Sequence, residues 1–202
     1  GHEYVFSFDS GRTSLFSILK SLNLPADCEV LLQAYTCVAV PDPVLWTGLT
    51  PIFVDINADT LNMSAEDLEK KITPKSKVLI IQHTFGFPAD IDRLMQIAKS
   101  KGLFVIEDCA HALGAKYNGK LIGTVGDAAF FSFGRDKAIS STFGGVAITK
   151  NKEVAVNLRH LEQSYKFPNR RWIAQQLFHP VIIGLAKSTF HFLGLGKAIL
   201  YF

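Results

Sequence analysis

The sequence predicts an α/β fold, a three-layer sandwich around a mostly parallel sheet, and three observations support it. Short apolar runs at Glu29 to Gln33, Pro51 to Val54, Val78 to Gln82 and Phe104 to Glu107 are nearly uninterrupted, as in strands covered on both faces. The stretches between them are long enough for helices, the alternation that builds parallel sheets. At 202 residues and 48% hydrophobic content the chain can bury a sizeable core, and one main domain is expected.

Taken in order, Tyr4 to Phe8 reads as a first strand, and Ser10-Gly11-Arg12-Thr13-Ser14 opens a helix whose apolar positions are Leu15, Phe16, Ile18, Leu19 and Leu22. Free N–H groups at such a helix start suit a phosphate. Ser64-Ala65-Glu66-Asp67 carries a capping signal, and Asp90 to Lys101 places Ile91, Leu94, Ile97 and Ala98 on one helical face, with Gly102 as its stop. Ala128 to Phe133 and Gly145 to Thr149 read as two further strands, and Lys152 to Tyr165 as a helix. Beyond it Pro168 and Pro180 punctuate the chain, and Val181 to Phe202 is apolar but interrupted by Lys187 and Lys197. That run falls short of the roughly 18 consecutive apolar residues a membrane span needs. Packing against protein is the favoured reading of this segment, ahead of contact with a membrane surface. The division expected is a large domain over residues 1–166 and an apolar helical segment over 167–202.

A net charge of +3, with basic residues scattered rather than massed, argues against nucleic-acid binding. Cys28, Cys37 and Cys109 are odd in number and lack CxxC spacing, which fits a reducing, cytoplasmic location better than a disulfide framework. The chain starts at Gly1 directly before a strand-like segment, so its natural start is expected to lie upstream.

The chemistry is expected at the carboxyl ends of the strands. Asp108 ends one apolar strand in Val105-Ile106-Glu107-Asp108-Cys109-Ala110-His111, and Lys137 follows 137 − 108 = 29 residues later in a polar loop after Phe131-Ser132-Phe133. An amine and a carboxylate so placed are what a pyridoxal phosphate enzyme needs. The amine forms a Schiff base with the cofactor aldehyde, and the carboxylate keeps the pyridine nitrogen protonated so that the ring acts as an electron sink. Taken singly, a loop lysine is usually a solvated surface charge and a strand-end Asp often only a helix cap.

Together with the Ser10-Gly11 turn, this constellation resembles the pyridoxal-phosphate-dependent sugar aminotransferases of the DegT/DnrJ/EryC1/StrS family. The matching stretches include Ala34-Tyr35-Thr36, Pro51 to Ile56, His83-Thr84-Phe85-Gly86, Pro88 to Asp92, Ile106 to His111, Gly126-Asp127, Phe131-Ser132-Phe133, Lys137 and Gly144-Gly145-Val146. The resemblance implies the large domain of the aspartate aminotransferase-like fold (fold type I), with a C-terminal small domain that has no counterpart here. It also implies Lys137 as the Schiff-base lysine, Asp108 at the pyridine nitrogen, His111 close to the ring and Ser132 at the phosphate. The donor implied is an amino acid such as glutamate, the acceptor a keto group of a nucleotide-linked sugar, and the assembly a homodimer. Three departures stand out: Arg12 and then Thr13 follow Gly11 where Thr is usual, Cys37 falls where an aromatic residue stacks on the ring, and Ala138 follows the lysine where Asn is common.

Other readings are weaker. Cys109 with His111 shows no oxyanion site, and His83, Cys109 and His111 lack paired metal-ligand spacing, so no metal is expected. His83 reads as a strand-end packing or hydrogen-bonding residue, and Glu107 should face away from Asp108. Another fold-type-I reaction, a desulfurase or decarboxylase, is the rival enzyme. A catalytically silent regulatory or scaffold homologue is the rival from another class. A cofactor absorbance band that shifts with glutamate separates the three.

Overall fold

The computed structural model describes residues 3–189; Phe192, Gly194, Gly196 and Lys197 of the apolar C-terminal run lie outside the described residues. Among the described residues, those up to Ser164 form one compact unit and those from Tyr165 onward a second. In the first, seven strands make one sheet in the order β1 (Tyr4–Phe8), β9 (Gly145–Thr149), β8 (Ala128–Ser132), β5 (Phe104–Asp108), β4 (Ser76–Gln82), β2 (Glu29–Gln33) and β3 (Thr50–Val54). Neighbours from β8 to β3 pair in parallel, and β9 is antiparallel to both β8 and β1. A short antiparallel hairpin, β6 (Lys116–Tyr117) with β7 (Lys120–Leu121), stands apart.

Both faces of the central strands are covered, so their residues alternate between two cores, whereas the edge strands leave one face open, at Val5 of β1 and, against the expectation for Pro51 to Val54, at Phe53 of β3. Val30, Leu32, Val78, Ile80, Ile106 and Phe130 pack on one side with Leu15, Ile18 and Leu19 of α1 (Gly11–Ser21) and Val154 and Leu158 of α5 (Lys152–Ser164). Leu31, Leu79, Ile81, Val105 and Ala129 pack on the other with Leu68 of α3 (Ala65–Lys71) and Ile91, Leu94 and Ala98 of α4 (Ile91–Lys101). The three layers agree with the sequence reading.

The caps follow the sequence signals. Ser64 accepts the Asp67 N–H, Asp90 accepts the Arg93 N–H, and Gly102, at φ +66°, ends α4 in the left-handed conformation that glycine adopts without cost. Two helices differ from expectation. Pro41–Trp46 forms α2, because prolines in a first helical turn surrender only N–H groups that have no intrahelical partner. In the second unit α6 (Arg170–Thr189) runs through Pro180 instead of breaking there, without the backbone bond that the proline nitrogen cannot donate. No described helix is long and apolar enough to cross a membrane.

Candidate active site

The strand alternation that builds the two cores also separates Glu107 from Asp108. Val105 belongs to the α3/α4 side and Ile106 to the α1/α5 side, so Glu107 turns toward the former and Asp108 toward the latter. Asp108 is 4% exposed, and one of its oxygens accepts the Ala110 N–H at 2.9 Å. Burial pushes its carboxyl pKa upward, against the opposing pull of the Ala110 N–H and of the charges of His83, His111 and Lys137. Such a carboxylate is poised to gain from a cation placed beside it.

The loop after β8 returns Lys137 to this place. Its Nζ lies 3.1 Å from His111 Nε2 and 2.8 Å from Asp136 Oδ2, with the lysine side chain 15% exposed. An ammonium there donates to Nε2, so the imidazole hydrogen sits on Nδ1. The hydrogen bond to Lys137 holds the Asp136 carboxyl below the usual range. Asp136 carried no signal in the sequence.

The start of α1 closes the site from β8. Ser10 caps the helix by accepting the Thr13 N–H at 3.1 Å, and its hydroxyl meets that of Thr13 at 2.9 Å. A Cβ on Gly11 would come within 2.8 Å of Ser132 Cβ and 3.2 Å of its Oγ, and one on Gly145 would lie 2.2 Å from the Ser10 backbone. Glycine at both places therefore lets the helix start sit directly on the sheet end, with the Ser132 side chain against Gly11. Arg12 does not join them: its guanidinium lies over the Trp46 ring, 5.9 Å from the centroid. Cys37 is exposed in the turn before α2 and offers no ring to stack. At this end of the sheet Tyr35 and Phe85 meet edge to face at 6.2 Å, and Phe85 is stacked on His111 at 6.1 Å with 9° between planes.

Behind the site lies a buried polar cluster. Gly123, Val125 and Gly126 donate their N–H groups to the Glu107 carboxylate at 2.7 to 2.8 Å. His83 accepts the Ala89 N–H on Nδ1 at 3.2 Å, so its Nε2 carries the hydrogen that is donated to Glu107 at 3.3 Å. Burial alone would raise the Glu107 pKa, but these donors outweigh it and the net shift is downward. Among the described residues His83, Glu107 and Cys109 bring their ligand atoms within 4.8 Å, where the sequence suggests His111 in place of Glu107. The His83 and Glu107 atoms are already committed to each other and to backbone N–H groups, the Cys109 thiol faces the Glu107 carbonyl at 3.9 Å, and burial pushes that thiol well up, away from the thiolate a metal or a nucleophile needs.

The profile of the DegT/DnrJ/EryC1/StrS aminotransferase family matches residues 1–177. The chain belongs to this family. It is 39% identical over 160 residues to a GDP-perosamine synthase of Escherichia coli O157:H7, an alignment covering 79% of this chain and 44% of that protein. Among solved structures it resembles DesI, determined with its TDP-sugar product (TM-score 0.75, 32% identity, 80% of this chain and 41% of the other). It also resembles the PLP form of the putative sugar aminotransferase Spr1654 from Streptococcus pneumoniae (TM-score 0.73, 30% identity, 79% and 46%). The fold is thus that of the fold-type-I sugar aminotransferases, and the chain spans under half the length of these relatives.

Proposed function

We propose that residues 1–166 form the cofactor-binding part of a transaminase. It moves an amino group from an amino acid such as glutamate to a keto group of a nucleotide-linked sugar. The observation that supports this most is the convergence of the Lys137 amine, His111 and the buried Asp108 beside the close contact of Gly11 with Ser132. These residues fit pyridoxal phosphate. The N–H groups at the start of α1, with Ser132 and Thr13, would hold its phosphate, and Asp108 would hold the pyridine nitrogen. Bound there, the cofactor would supply an aldehyde for the Lys137 amine and an electron sink for the carbon that loses its proton.

The chain's own groups account for the rest. Burial raises the Asp108 pKa, so a cation beside it favours the ionised form, and by the same coupling the carboxylate would keep a ring nitrogen protonated. Lys137 Nζ, once free as an amine, can take a proton from a substrate carbon and return it, and Asp136 and His111 fix where that nitrogen sits. Lysine at this position, rather than the histidine of the family's dehydrating members, supports transamination.

The GDP-perosamine synthase and DesI relatives support a nucleotide-sugar acceptor. Exposed Leu177, Phe178, Val181 and Leu185 on α6 support association with a second copy, and three free cysteines support a reducing, cytoplasmic setting. The test is spectroscopic. The full-length protein with pyridoxal phosphate should show a visible band that shifts on adding glutamate and returns on adding a keto sugar nucleotide. A band indifferent to amino acids would refute transamination.

A further inference from the structure

Phe85 holds its place at a cost to backbone and burial. Its backbone is left-handed (φ +53°), which an aromatic residue adopts only under constraint, and its side chain is 60% exposed, so little burial offsets the strain. The surrounding turn is nonetheless strongly determined. Gly86 and Phe87 donate to the carbonyls of His83 and Thr84, the Thr84 N–H donates to Asn62 Oδ1 at 2.9 Å, and Asn62 Nδ2 donates back to the Phe87 carbonyl at 3.2 Å. Gly86, at φ +85°, lies so close to the His111 carbonyl that a Cβ would come within 2.9 Å of that oxygen. The result is a ring laid parallel to the His111 imidazole and T-shaped to the Tyr35 ring, while Nε2 of that imidazole faces Lys137 Nζ at 3.1 Å.

We propose that Phe85 is a positioning residue that acts on Lys137 through His111. The strained turn holds the phenyl ring, the ring fixes the plane of the imidazole, and the imidazole fixes the amine. This rests on the reading of Lys137 as the reactive amine. Loss of an aromatic pair of this kind corresponds to about a two- to twelvefold change in the population of the held conformer.

Three variants of the full-length protein test it: Phe85→Leu, Phe85→Tyr and, to assign the His111 signals, His111→Gln. Two readouts use the cofactor-free protein. The His111 ring protons, shifted upfield in the NMR spectrum by the stacked phenyl, should lose that shift in Phe85→Leu and keep it in Phe85→Tyr. Acetylation of Lys137, measured by mass spectrometry against Lys116 and Lys120, should rise about two- to twelvefold in Phe85→Leu and stay near wild type in Phe85→Tyr. In the loaded enzyme, the rate with glutamate should fall by a similar factor at unchanged KM. Unmoved His111 signals or unmoved Lys137 labelling in Phe85→Leu would overturn the proposal. A change of oligomer mass with Lys137 labelling unmoved would also overturn it, assigning Phe85 to a subunit contact. Should the cofactor attach to a different lysine, the function proposed above fails, whereas the cofactor-free readouts still decide whether Phe85 controls the Lys137 amine.

Discussion

Glu107→Gln is nearly isosteric, yet it should be among the most destabilising single-atom changes in this domain. The carboxylate accepts from Val125 and Gly126 on one oxygen and from Gly123 and His83 on the other. Whichever way the glutamine amide is turned, its NH2 opposes two donors. A tautomer change at His83 would relieve one clash only by breaking the bond from the Ala89 N–H to Nδ1. Losing two hydrogen bonds to a buried charge costs about 3–5 kcal/mol, a large share of the 5–15 kcal/mol that holds a typical domain. In urea unfolding followed by circular dichroism, the midpoint should fall by a corresponding amount with the slope unchanged. The pH dependence follows from the sign of the shift. The folded pKa of Glu107 lies below its ordinary 4.5, so its contribution is present above that value and fades as pH drops through the folded pKa. The gap between wild type and variant should therefore narrow below pH 4.5. A variant within about 1 kcal/mol of wild type at pH 7 would refute the reasoning, since even one such bond exceeds that.

The neighbouring Asp108 should behave with the opposite sign. Its folded pKa is raised by burial, so the cofactor-free protein loses stability as pH rises through it, and Asp108→Asn should remove that loss while cutting turnover of the loaded enzyme by about a hundredfold or more; near-normal turnover would exclude the role at the pyridine nitrogen. Gly11→Ala forces a Cβ to within 2.8 Å of Ser132 Cβ, so it should lower stability by about 1–3 kcal/mol and weaken pyridoxal phosphate binding in a fluorescence titration. In the native protein a thiol reagent should modify the exposed Cys37 quickly, and buried Cys28 and Cys109 only on unfolding, as peptide mapping would show.

The parts of this fold legible in the sequence are those set by local pattern. The apolar runs of β2, β4 and β5 are buried on both faces, so they stand out as unbroken hydrophobic stretches. Ser64, Asp90 and Gly102 mark helix ends by chemistry that involves only their near neighbours. The order of strands and the antiparallel insertion of β9 are set by pairings far apart in the chain and left no local trace. In the site, Asp108 at the end of β5 and Lys137 in the loop after β8 are legible from their places relative to apolar strands. The carboxylate of Asp136 beside Lys137 and the Phe85 ring over His111 are not, because each depends on a loop conformation. Glu107 was correctly turned away from Asp108 by strand alternation. Its three N–H partners, 16 to 19 residues away in the loop before β8, were invisible to that argument.

The proposed function depends most directly on which nitrogen bonds the cofactor. Borohydride reduction of the full-length protein incubated with pyridoxal phosphate, followed by peptide mapping, should place a single stable label on Lys137, the amine held by His111 and Asp136. A label on Lys116 or Lys120 of the β6–β7 hairpin, with Lys137 unmodified, would contradict it.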